Sequence, residues 1–268
     1  MVSQTQPSPR SSIRPSARSP FFGATNRGLL HHACVILLGL SVATIFCPSG
    51  AGQSQTSNTE TEVWPDVDAH IQLPSNFRVL VFGGTEQAIG FPYQQWYAAG
   101  GLGYQLKSIL TPHLENIDQD KEHYLVFGGG YEFLRTIQSG KTSDENRIAL
   151  DGVFSFRPTG RFLVLDRNRV EFRWIDGVYS TTYRNKLLVE RDFLLRRFRF
   201  SPYGSVEVFY NGAQSSWNQE WYYVGIQWPH KRIFMVDTYY QRQNCTGCTP
   251  TNWNVAGVTL NFYFRNTN

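Results

Sequence analysis

The chain has 268 residues, 15% of them aromatic and 17% charged, with a formal net charge of +4. Outside the N-terminal region it carries no apolar run of about 18 or more residues, so a bundle of membrane-spanning helices is excluded, while a membrane β-barrel, whose strands alternate, is not. The positive charge is no nucleic-acid signal: residues 1–51 hold Arg10, Arg14, Arg18 and Arg27 and no acid, and without them the chain is near neutral.

That first segment has the layout of an export signal. A basic, Ser/Pro-rich start leads into the apolar run ACVILLGLSVATIF, residues 33–46, and then CPSGAGQ, where Ser49 and Ala51 offer small residues to a signal peptidase. The expected organisation is a signal peptide over 1–51, a flexible linker over 52–61 and a β-barrel over 62–268. Competing readings are a lipoprotein anchored at Cys47, against which the bulky Phe46 argues, and a retained membrane anchor. The basic region is unusually long, as a misassigned start codon would produce.

Past GQSQTSNTET the sequence is strand after strand, with no amphipathic helix. The expected strands are 62–73, 77–86, 95–107, 122–135, 145–157, 162–175, 180–193, 197–210, 218–228, 232–243 and 252–265. Soluble strands usually run about five or six residues, whereas a tilted bilayer crossing needs about nine to eleven. Connections alternate in length. PSN (74–76), PTGR (158–161), LLRR (194–197) and PHKR (229–232) are short. TEQAIGFPYQ (85–94), TIQSGKTSDE (136–145), NGAQSSW (211–217) and NCTGCTPT (244–251) are longer. Short periplasmic turns and long outer loops are the outer-membrane pattern. KSILTPHLENIDQDK (107–121) interrupts it. Its acids Glu115, Asp118 and Asp120, with Glu122, lack the glycine of a calcium loop and read as a solvated turn. Cys245 and Cys248 read as a local disulfide, since an exported protein oxidises such pairs and a zinc site would need two more ligands.

The stretch RNRVEFRW, residues 167–174, decides which face is which. Arg167, Arg169, Glu171 and Arg173 share one face; Val170, Phe172 and Trp174 share the other. The pattern recurs with Arg184, Lys186, Glu190 and Asp192 against Tyr183, Leu187, Val189 and Phe193. It recurs again with Arg199 and Glu207 against Phe198, Phe200 and Val206, and with Arg147 and Asp151 against Ile148, Leu150, Phe154 and Phe156. In a barrel the apolar face meets lipid and the charges line the interior. The expected interior network is therefore Glu132, Arg147, Asp151, Arg167, Arg169, Glu171, Arg173, Arg184, Lys186, Glu190, Arg199 and Glu207. It reads either as ion pairs that close the barrel or as a narrow pore favouring anionic solutes. Asp166 and Asn168 fall on the apolar face, which suggests a bulge, and Arg191 falls there near a turn, within reach of water. Bacterial single-chain barrels have even strand numbers, so twelve strands are expected, with ten the alternative.

The last strand, GVTLNFYF (257–264), places Val258, Leu260, Phe262 and Phe264 at alternate positions. It resembles the C-terminal signal by which the barrel-assembly machinery recognises outer-membrane proteins, although the chain runs four residues beyond Phe264. Together with DKEHYLVFGGGYEFLRT (120–136), RNRVEFRWIDGVYSTTYRNKL (167–187), PYGSVEVFYN (202–211) and NQEWYYVGIQWPHKR (218–232), it resembles a bacterial family filed as a domain of unknown function. That resemblance covers roughly residues 62–265 and implies an outer-membrane barrel with no catalytic residues to transfer.

No G-x-S-x-G or H-E-x-x-H motif occurs, and none of His70, His113, His123 and His230 has a Ser two residues on. The reading is an all-β, closed, antiparallel up-and-down transmembrane β-barrel in the outer membrane, in contact with its lipid, without cofactor, metal or nucleic acid. An outer-membrane lipid-modifying enzyme and a secreted β-sandwich or lipocalin-like binder are the alternatives.

Overall fold

A computed structural model describes residues 59–106, 118–158, 161–196, 198–230, 233–248 and 250–264. The expected signal peptide and most of the expected linker lie outside them. Twelve strands follow in chain order: β1 (Thr59–Gln72), β2 (Phe77–Ala88), β3 (Tyr93–Gln105), β4 (Leu125–Gln138), β5 (Lys141–Phe156), β6 (Phe162–Ile175), β7 (Val178–Arg191), β8 (Phe193–Leu195), β9 (Phe198–Asn211), β10 (Ser216–His230), β11 (Phe234–Cys245) and β12 (Asn252–Phe264).

The sheet closes on itself. β8 is a three-residue strand that pairs only with the start of β9, so the closed ring has eleven strands. Neighbours are antiparallel except at one seam, where β1 and β12 run parallel from Thr59 opposite Asn252 to Ile71 opposite Phe264. The expected wholly antiparallel ring of twelve or ten strands is corrected on this point. With eleven strands in alternating directions, the first and last point the same way, and a parallel ladder satisfies their backbone groups as an antiparallel one would.

The expected alternation of short and long connections also changes. Residues 139–140 and 176–177 are two-residue turns in which Ser139, Gly140, Asp176 and Gly177 all have positive φ, the conformation that matches strand twist. At that rim β2 also leads into β3, β9 into β10 and β11 into β12, while the widest interval in sequence, between the end of β3 at Gln105 and the start of β4 at Leu125, separates two strand ends at the opposite rim. The strands run past the apolar belt, so their ends are polar while still paired. Arg135 and Asp144, for example, form a two-point ion pair at 2.6 and 2.7 Å across β4 and β5.

The ring is inside out relative to a soluble barrel. Val81, Leu102, Leu150, Leu187, Val224 and Val258 are exposed on the outer wall. Aromatic contacts flank this aliphatic belt at both rims. Phe77–Tyr104 (4.9 Å), Phe193–Phe200 (5.3 Å) and Phe234–Phe262 (5.2 Å) lie at one, Trp96–Phe133 (5.4 Å), Trp174–Tyr179 (5.4 Å) and Tyr183–Trp217 (5.9 Å) at the other. Arg191 lies over Phe162 and Phe193 at 4.9 and 4.8 Å, next to a turn. Asp166 and Asn168 sit in no bulge, because β6 keeps unbroken register with β5 and β7; the register shift falls between Trp217 and Gln219 in β10.

Inside, one recurring joint ties strands across their neighbours. Tyr239 lies over Gly257 and donates its hydroxyl to Asp66 at 3.5 Å. Tyr97 lies against Gly84 and donates to the same Asp66. Tyr203 lies over Gly225 and donates to Asp237 at 3.1 Å. Each glycine is the register partner of its tyrosine, and an added Cβ would meet that side chain. Gly257→Ala is expected to push the Tyr239 ring off Asp66 and cost about 1–3 kcal/mol, measured as a lower urea midpoint of unfolding with the slope unchanged.

Candidate functional site in the barrel interior

The strand period places the ionised residues of β4–β7 and β9 on the inner wall, and the register then sets cations directly opposite cations. Arg147 faces Arg173, Arg169 faces Arg184 and Arg167 faces Lys186. Directly opposed like charges repel, and each pair has a carboxylate set against it. Glu145 accepts from Arg147 at 2.9 Å and from Arg173 at 2.6 and 2.8 Å. Glu171 accepts from Arg184 at 2.8 Å and lies 3.8 Å from both Arg169 and Arg147. Glu207 accepts from Arg167 at 2.8 Å and Arg184 at 2.9 Å, and stands opposite Lys186 on β9.

The ladder extends sideways. Arg147 also reaches Glu132 at 3.0 Å, and Arg169 grips Asp151 through two bonds of 2.7 and 2.9 Å. Lys186 lies 4.2 Å from the Tyr223 ring, and Arg184 stacks over Phe209 at 4.6 Å. Arg199 is 3.4 Å from Asp192, which also accepts from Ser201 at 2.6 Å and faces Arg157 at 3.7 Å. Glu171 and Glu207 are essentially sealed, at 2% and 0% exposure.

Glu190 belongs to a second group, at the rim that carries Phe264. Residues 118–123 fold into that mouth around a 3₁₀ turn, Gln119–Glu122, capped by Asp118. They were expected as a solvated turn, and the structure corrects this. Asp118 accepts from Arg78 of β2 at 3.1 Å, and Asp120 accepts from Arg78 and from Gln105 of β3, the latter at 2.7 Å. Lys121, 5% exposed, reaches across to Glu190 of β7 and donates to Gln227 of β10 at 2.6 Å. In ring order β7 and β10 lie opposite β2 and β3, so this segment spans the barrel's diameter. Composition hid it, because a docked acidic turn and a solvated one use the same residues.

Lys121 and Asp118 titrate in opposite senses. Burial alone would lower the Lys121 ammonium, but Glu190 and Asp118 outweigh it and hold it above its ordinary value. Burial alone would raise Asp118, but Arg78, His70 and Lys121 outweigh it and hold its carboxyl below its ordinary value.

The remaining expected residues lie elsewhere. Val258, Leu260, Phe262 and Phe264 project from the outer wall at the parallel seam, and Cys245 and Cys248 are disulfide-bonded in the turn between β11 and β12. Sequence reasoning missed Glu145, which stood at the edge of an expected loop, and the Asp66 and Asp237 joints. The joints left one signal, inward tyrosines and glycines at alternate positions.

These features define a closed β-barrel with an ionised, cross-linked interior and an apolar outer wall. A family model described as protein of unknown function (DUF2490) matches residues 61–254, and the chain belongs to that family. No curated protein matches the chain.

Two predictions follow from the geometry. Glu171→Gln leaves Arg184, Arg169 and Arg147 short of a shared buried anion and is expected to cost about 3–5 kcal/mol; adding Arg184→Met should recover part of that loss in a double-mutant cycle. The Lys121 contribution is full below its unfolded value of about 10.4 and is lost as pH rises through the raised folded value. That of Asp118 is full above about 3.9 and is lost as pH falls through the lowered folded value. Urea unfolding should therefore be insensitive to these two groups between those limits, and Lys121→Met should blunt the alkaline loss while leaving the acid loss in place.

Proposed function

We propose that this protein is an outer-membrane β-barrel closed by its own ion pairs, serving that membrane as a structural or ligand-presenting element and not as an open passive pore. The observation that carries the membrane reading is the inversion of polarity: exposed aliphatic side chains between two aromatic girdles, with ionised side chains inside. Hydrocarbon offers no hydrogen bonds to backbone groups, and a sheet without open edges is one of the few ways to cross it. A secreted lipocalin-like binder needs the opposite arrangement, an apolar interior and a wet outside. A two-sheet sandwich would hide Phe172, Phe200 and Phe262 between layers, whereas here they belong to the outer wall of one ring.

What supports a closed interior is the pairing of the wall charges and the segment through Lys121 that crosses the mouth. In this reading Val258, Leu260, Phe262 and Phe264 form the surface that the barrel-assembly machinery receives. The folded chain is expected in the detergent-extracted outer-membrane fraction, with a heat-modifiable gel mobility. In planar bilayers wild type should be silent, and Lys121→Met combined with Arg78→Met should raise the frequency of conductance steps. Extraction without detergent would refute the membrane reading; discrete steps from wild type would refute closure alone.

A further inference from the structure

The outer wall carries one feature that lipid does not explain. Asp166 and Asn168 of β6 and Asn185 of β7 project outward together. Asn185 Nδ2 donates to Asp166 Oδ1 at 2.7 Å and to Asn168 Oδ1 at 3.2 Å. Asn168 Nδ2 donates to Asp166 Oδ2 at 3.1 Å, and the Tyr183 hydroxyl donates to Asn168 Oδ1 at 2.6 Å. Around them Leu150, Phe154, Leu187 and Val206 are exposed.

Height matters here. Along β6 Asn168 stands midway between outward Phe162 at one end and outward Trp174 at the other. The cluster therefore lies within the aliphatic belt, touched from one girdle only by the Tyr183 hydroxyl. Unbroken register through β5, β6 and β7 means that no slip put it there.

The cluster is only partly satisfied by itself. An amide nitrogen has two hydrogens and an amide or carboxylate oxygen two lone pairs. Among the described residues one N–H of Asn168, the carbonyl of Asn185 and lone pairs on both Asp166 oxygens have no partner. Acyl chains can supply none, and headgroups lie at the girdles. The register partner of Asn168 on β5 is Gly152, where an added Cβ would meet nothing closer than Phe127 at 3.8 Å, so the wall beside the amide is low.

We infer that this patch is where a second copy of the chain docks, side by side in the bilayer. The inference rests on the membrane reading above. It commits to a second copy because the patch holds both unused donors and unused acceptors, and a two-fold axis through it would bring the free N–H of Asn168 in each copy to the carboxylate or Asn185 carbonyl of the other. Self-complementarity of this kind is what a two-fold interface requires, and polar groups between membrane segments favour association because the alternative is hydrocarbon.

The test uses the full chain reconstituted in phosphatidylcholine vesicles. Asn168→Cys should form a covalent dimer under oxidising conditions, while Val67→Cys, on β1 across the ring and exposed on the outer wall, should not. The triple variant Asp166→Leu, Asn168→Leu, Asn185→Leu should keep heat-modifiable mobility and raise the dimer dissociation constant about tenfold or more, the effect of roughly 1.4 kcal/mol. Monomeric wild type, a dimer indifferent to the triple variant, equal cross-linking at both positions, or, when the same variant is oxidised in whole cells, capture of a different protein at Asn168→Cys would each overturn the inference. Such results with heat-modifiable mobility retained would leave the membrane reading standing; recovery of wild type in the soluble fraction would remove both.

Discussion

The structure depends on carboxylates set between opposed cations. Register alone would place Arg147 against Arg173, Arg169 against Arg184 and Arg167 against Lys186, an arrangement that repels itself. Glu145, Glu171 and Glu207 turn each repulsion into a bridge. None of them is replaceable by a neutral residue of the same shape, since the cations would then face each other in a low-dielectric interior. A one-residue slip of any of these strands would send its ionised set to the apolar face. Inner-wall pairing and outer-wall hydrophobicity therefore specify the same register from two sides.

The interior is divided between two kinds of fastening. From β4 round to β9 it is charge against charge. From β9 through β12 to β3 it is tyrosine hydroxyls reaching across glycines to Asp66 and Asp237. The second kind links strands that are not neighbours, which ladder hydrogen bonds cannot do. It also straddles the parallel seam, since Tyr239 of β11 reaches Asp66 of β1 over β12.

Much of this was legible in sequence because a period of two sorts every residue of a long strand onto one wall or the other. RNRVEFRW alone separates Arg167, Arg169 and Arg173 from Val170 and Phe172. The sequence pattern also held eleven strands; the expectation of an even number came from other barrels and displaced what the residues said. Three things could not be read. Strand ends are polar whether paired or looped, so Thr142 and Ser143 looked like loop although they lie in β5. Whether Lys121 is solvated or crosses the barrel depends on Glu190 and Gln227, far away in the chain. Of the two partners of Asp166, Asn185 is likewise on another strand, so Asp166 read as a bulge in an otherwise regular face.

The parallel seam has a geometric corollary. An even ring returns its chain to the rim where it started; this one does not. Thr59 enters beside Asn252 and Phe264 leaves beside Ile71, a full strand length away. Set in a bilayer, the ring would hold the polypeptide like a thread through cloth, with Thr59 at one face and Phe264 at the other. Reporter groups attached at Thr59 and at Phe264 would then sample different compartments.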